Sequence, residues 1–133
     1  MLDIAFREDK STILVVEDDP AMLVALRDIL EGEGYGVITA SDGRSALQAL
    51  VAELPGTVAV AADLGDASER ERLMAEVLER CGTVDVLVNN AGVGHTVAIE
   101  DEDVDTFRHT MELNVTAVWH LCKLAGVTMP RFG

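Results

Sequence analysis

The chain has 133 residues, 49% of them hydrophobic and only 4% aromatic, and 24 acids against 10 bases give a formal charge of −14. That length suits one domain, residues 1–133, with one core packed from Ala, Val and Leu. So acidic a surface repels nucleic acid and anionic lipid, and neither is expected as a partner.

The first clear element is an apolar run, Ile13 to Val16, which ends in three acids, Glu17, Asp18 and Asp19. A continuous apolar run of this length reads as a central parallel strand with its carboxyl end at the acids. From Pro20 the period changes. Met22, Leu23, Leu26, Ile29 and Leu30 recur at three- and four-residue spacing, which predicts a helix. Asp19 before Pro20 is an N-cap followed by proline at the first helical position, and Gly32 and Gly34 stop the helix.

"YGVITA" predicts a second strand, and "SDG" a turn leading into the helix "RSALQALVAEL", which Pro55-Gly56 ends. Thr57 to Ala62 is a third strand closing on Asp63. "ASERERLMAEVLERC" is an amphipathic helix with a stop at Gly82. "VDVLVNN" is a fourth strand that empties into the small-residue turn "AGVG". The stretch from Glu100 to Phe132 is helical in pattern, as two segments divided near Leu113-Asn114. Strands alternating with helices over short connections predict a three-layer αβα sandwich with a parallel four-stranded sheet.

Residues 11–50, "STILVVEDDPAMLVALRDILEGEGYGVITASDGRSALQAL", resemble the receiver domains of response regulators. That resemblance implies a flavodoxin-like sheet and a Mg²⁺ site in which Glu17 and Asp18 match the acidic pair after strand one. Residues 54–133 resemble short-chain dehydrogenases/reductases. "VAVAADLGD" is similar to their third strand, with Asp63 at the position beside the adenine. "VDVLVNNAGV" carries their NNAG motif at Asn89, Asn90, Ala91 and Gly92. "MELNVTAVWHLCK" is similar to the helix of their catalytic asparagine, here Asn114.

Two resemblances in one chain lead to the expectation of an engineered or recombined chimera, joined between Ser45 and Leu54 and acting as a scaffold. No catalysis is expected. The Ser and Tyr-x-x-x-Lys that the dehydrogenase resemblance requires lie beyond strand five, and Tyr35 has no such partner. NAD(P) is not expected either, because "EDDPAML" stands where a glycine-rich phosphate loop should and sets acids against a diphosphate. Two alternatives remain: a receiver-like Mg²⁺-binding remnant that accepts phosphate, or a weak adenine-nucleotide binder using Asp63 and the NNAG turn.

Strand order separates these. In the flavodoxin-like order 2-1-3-4, Asp63 faces Glu17 and Asp18, and three carboxylates could hold a hard cation. In the Rossmann-like order 3-2-1-4, Asp63 lies at the far edge, and Asn89 and Asn90 neighbour the acids. The wording of the third strand and its helix favours 3-2-1-4.

His95, His109 and His120 share no metal-ligand spacing. Trp119, with Val115, Val118 and Leu121, reads as core packing. The last helix and the open edge of strand four also offer surfaces for a homodimer, and the dehydrogenase resemblance implies subunit contacts at that helix. Cys81 and Cys122, outside any CxxC spacing, read as reduced thiols. With no leader and no membrane-length apolar run, a cytoplasmic location is expected.

Overall fold

A computed structural model describes residues 11–41 and 58–129. The strands are β1 (Thr12–Val16), β2 (Gly36–Ser41), β3 (Val58–Ala61) and β4 (Val86–Asn89). They form one parallel sheet in the order β3-β2-β1-β4. This is the Rossmann-like order, and the flavodoxin-like alternative is set aside. The predicted helix over 44–54 and the junction placed at 45–54 lie outside the described residues.

Among the described residues the helices include α1 (Pro20–Gly32), α2 (Ala67–Cys81) and α3 (Val104–Met111). A π-helical segment, Glu112–Ala117, then runs directly into α4 (Val118–Gly126). The division expected near Leu113-Asn114 is therefore not a break but this wider turn, a feature often found at functional sites.

Residues of β1 alternate between the two faces of the sheet, and both faces are covered, so all five are buried. Ile13 and Val15 pack with Val37 and with Leu23 of α1 on one side. Leu14 and Val16 point the other way, into a larger cluster with Leu73, Met74 and Val77 of α2 and Leu121 and Ala125 of α4. Truncating Leu14, fully buried at the middle of the central strand, would cost about 2–5 kcal/mol.

Local signals behave as the sequence reads. The Asp19 carboxylate accepts hydrogen bonds from the Ala21 and Met22 amides at 2.8 and 3.3 Å, capping α1 ahead of Pro20. Gly34 after α1 has φ +93°, a left-handed conformation that glycine adopts without strain. Among the described residues no helix is long and apolar enough to cross a membrane.

One expectation fails. Trp119 is 61% exposed and Val115 52%, so neither is core. Ala117, Leu121 and Ala125, spaced by four, turn to the sheet instead, and this puts Trp119 on the outer side with Lys123 Nζ 5.4 Å from its ring centroid.

Candidate functional site

The path of the chain reverses between β1 and β4. From β1 it steps outward through β2 to β3, then returns across the sheet to β4 on the other side of β1. At such a switch point the loops at the carboxyl ends diverge and leave a crevice. Here a shallow cleft is lined by Asp18, Leu64, Ala91, Gly92, Val93 and Leu113.

The turn after β4 is tied down at both ends. The Asn90 and Ala91 amides donate to the Val16 carbonyl at 2.9 and 2.8 Å, which fastens the turn to the end of β1. On the outer side, Asn114 from the π-helical segment grips Val93. Its Oδ1 accepts from the Val93 amide at 2.9 Å, and its Nδ2 donates to the Val93 carbonyl at 2.7 Å. Gly92 permits this approach: a Cβ there would stand 3.2 Å from Asn114 Oδ1.

The two asparagines of the NNAG motif part company, as neighbours on a strand do. Asn89 turns toward α4, its Nδ2 3.5 Å from Cys122 Sγ, while its buried Oδ1 has no hydrogen-bond partner among the described residues. Asn90 turns toward β1 and donates to the Glu17 carboxylate. The strand order thus brings Asn90 to the acids.

Glu17 is 4% exposed, and its carboxylate faces inward. Oε1 accepts from the Asp18 and Asp19 amides at 2.8 and 2.9 Å, and Oε2 from Asn90. Burial works against the ionised form. The hydrogen bonds from Asp19, Asp18 and Asn90 outweigh it and hold the Glu17 carboxyl below its ordinary value of 4.5.

Asp63 stands on the far side of β2 from β1, so the cation cluster of Glu17, Asp18 and Asp63 does not assemble. Among the described residues no group of three or more His, Cys, Asp or Glu is placed to hold a metal ion. Asp63 Oδ1 instead accepts from the Gly65 amide at 2.8 Å, a local turn that presents the buried Leu64 to the cleft.

One residue of this region was missed by sequence reasoning. Arg70 of α2 is 2% exposed and bridges three segments. Its guanidinium donates to the Leu64 carbonyl, to His120 Nδ1 at 3.0 Å and to Glu112 Oε1 at 2.9 Å. An arginine in a helix otherwise rich in charge gives no sequence signal of burial. Only the convergence of α2, α4 and the π-helical segment reveals it.

The family model for short chain dehydrogenase matches residues 24–131. The meso-2,3-butanediol dehydrogenase of Serratia marcescens is 29% identical over 121 residues, covering 90% of this chain and 48% of that protein. A short-chain dehydrogenase/reductase (glucose/ribitol dehydrogenase) from Brucella melitensis superposes with a TM-score of 0.82 at 22% identity, over 91% of this chain and 53% of the other. A blue fluorescent protein from a metagenomic library, solved with NADPH, gives a TM-score of 0.78 at 26% identity, over 90% and 51%. The chain spans less than half the length of the curated relatives it matches, from 31% to 48%.

These matches correct two expectations. The family match crosses residues 45–54 without a break, so the chain is one family's fold and not a receiver joined to a dehydrogenase. The apolar strand and capped helix that suggested a receiver are common to parallel α/β folds, and so they misled, whereas the acids of "EDDP" remain a departure from a glycine-rich loop. The expectation of a scaffold with no catalytic activity, not an enzyme, is overturned as well, since the family and the relatives are dehydrogenases and reductases.

Proposed function

The chain belongs to the short-chain dehydrogenase/reductase family, and from its crevice we propose that it is the nucleotide-side half of an oxidoreductase of that type, holding adenosine at the switch point. The observation that carries this reading is the turn after β4, fastened to Val16 on one side and gripped by Asn114 on the other. The small-residue turn faces Leu64 across a cleft of about 20 Å³, which supports an apolar contact for the edge of a flat purine, with the Asp18 carboxylate at the rim.

The family implies a nicotinamide dinucleotide, and the residues present fit it only in part. Leu64, Ala91 and Val93 support an apolar wall for the adenosine end, and Asp63, two residues beyond β3, is the proposed acceptor for an exocyclic amine through the oxygen that Gly65 does not hold. The diphosphate end does not fit. The amides that open α1 already donate to Glu17 and Asp19, and Asp18 adds charge at the cleft.

Within this chain Asn114 is a positioning residue, since both ends of its amide engage Val93. Arg70 holds the Leu64 carbonyl and thereby the opposite wall. The relative named for butanediol supports a small hydroxyl compound and its carbonyl form as the substrate pair. The free thiols Cys81 and Cys122 accord with a reducing, cytoplasmic setting.

Isothermal titration with adenosine tests the reading. Saturable binding is expected, weakened several-fold by Asp63→Asn. Absence of heat at any concentration of adenosine contradicts it.

A second copy of the chain is the proposed partner. Val104, Phe107, Met111, Val115 and Trp119 recur at three- and four-residue intervals and are 41% to 61% exposed, an apolar stripe that association would cover.

A further inference from the structure

An opening helix offers its first amides to an anion, and the helix dipole adds to the attraction. In this chain every main-chain N–H from Asp18 to Met22 is already engaged by a carboxylate. Glu17 takes those of Asp18 and Asp19, Asp19 takes those of Ala21 and Met22, and Pro20 has none to give. Glu17 is not a surface acid folded over by chance. It is 4% exposed, and the side-chain amide of Asn90, at the far side of the switch point, closes on its second oxygen.

We propose that Glu17 is a built-in anion occupying the cradle that would otherwise receive a ligand phosphate, so that the crevice selects adenosine-bearing ligands with no phosphate at that position. This rests on the adenosine reading above. A phosphate arriving here must displace a buried carboxylate from three donors and also face its charge and that of Asp18. A neutral nucleoside meets neither obstacle. The same arrangement explains how a helix N-terminus without a glycine-rich loop keeps its amides satisfied.

The test uses inorganic pyrophosphate and adenosine as separate ligands in thermal unfolding of the wild-type chain, Glu17→Gly and Glu17→Gln, with circular dichroism to verify folding. Pyrophosphate is expected to leave the wild-type Tm unchanged and to raise that of Glu17→Gly saturably, because the amides are freed. Glu17→Gln, which keeps the shape and loses the charge, is expected to respond more weakly, and it carries the test alone if the glycine variant does not fold. ADP should bind the wild type no tighter than adenosine, and Glu17→Gly about tenfold tighter, a gain of about 1.4 kcal/mol. Equal stabilisation of wild type and variants by pyrophosphate overturns the proposal, and so does a variant set that pyrophosphate leaves unmoved. A pyrophosphate gain in the variants without any adenosine response upholds the role of Glu17 and removes the adenosine reading alone.

Discussion

The side-chain amide of Asn114 clasps Val93 by both its amide hydrogen and its carbonyl oxygen, at 2.9 and 2.7 Å. A residue of the π-helical segment thereby sets the conformation of a turn twenty-one positions earlier in the chain. The pair is mutually dependent: the helix widens where Asn114 must reach the turn, and Gly92 leaves the room that it needs.

Asn114→Ala removes both bonds and should cost about 1–2 kcal/mol, read as a lower urea midpoint at unchanged m-value. Asn114→Asp keeps the acceptor for the Val93 amide but sets a carboxylate against its carbonyl, so it should rescue little. Both should weaken adenosine binding more than Thr116→Ala, an exposed change in the same segment.

Arg70→Met keeps the aliphatic volume and leaves the Leu64 carbonyl and Glu112 without their donor. Hydrogen bonds to a buried guanidinium are charge-assisted, and their loss should cost about 2–3 kcal/mol. Lysine at this position should not restore stability, because a point charge cannot serve three acceptors in a planar fork. Chemical denaturation of the two variants measures this.

Stability should fall in acid. Glu17 is lowered against the opposing effect of burial, by its amide and side-chain hydrogen bonds. Asp66 is lowered chiefly by the Ser68 hydroxyl, and Asp103 by the Thr106 amide. Groups depressed in the folded state stabilise it fully above their ordinary values, 4.5 for Glu17 and 3.8 for the aspartates, and the contribution disappears as pH falls through the folded values. The urea midpoint should therefore hold steady above about pH 5 and fall below it. Asp66→Asn with Asp103→Asn, which keeps both helix caps but cannot titrate, should flatten part of that fall.

The two cysteines should react in sequence. Burial, only partly offset by Arg80, pushes the Cys81 thiol up to about 11, whereas Cys122 is exposed on α4. Mass spectrometry after brief alkylation at mild pH should find Cys122 modified and Cys81 untouched until denaturant is added.

The exposed stripe makes a prediction about assembly. Light scattering should give the mass of a dimer for the native chain and of a monomer for Phe107→Glu with Trp119→Glu, which puts charge on the stripe without touching the buried Leu121.

Much of this fold is legible from local signals, because local chemistry determines them. Asp19-Pro20 announces its helix, and the apolar run of β1 announces a strand covered on both faces. The relation of strands to one another is a different matter. Receiver and dehydrogenase folds share the β1-α1-β2 unit, so "ILVVEDDP" is compatible with both, and the acids that suggested a phosphoacceptor turn out to cap amides. The NNAG turn and Asn114 were legible as a motif, whereas their grip on one another was not, since it depends on the widened helix. Trp119 was misplaced because an apolar helix with two hydrophobic sides does not declare which one faces the sheet. Arg70 was invisible for the opposite reason: its charge looks like that of its solvated neighbours until three segments close around it.

The most direct test of the central claim is an amide-resolved NMR titration of the isotope-labelled chain with adenosine. The account predicts saturable shifts concentrated at Asp63–Gly65 and Asn90–Val93, with the amides of Asp18 and Asp19 little moved because Glu17 keeps them. Shifts scattered over the surface, or none at all, would contradict a nucleoside site at the switch point.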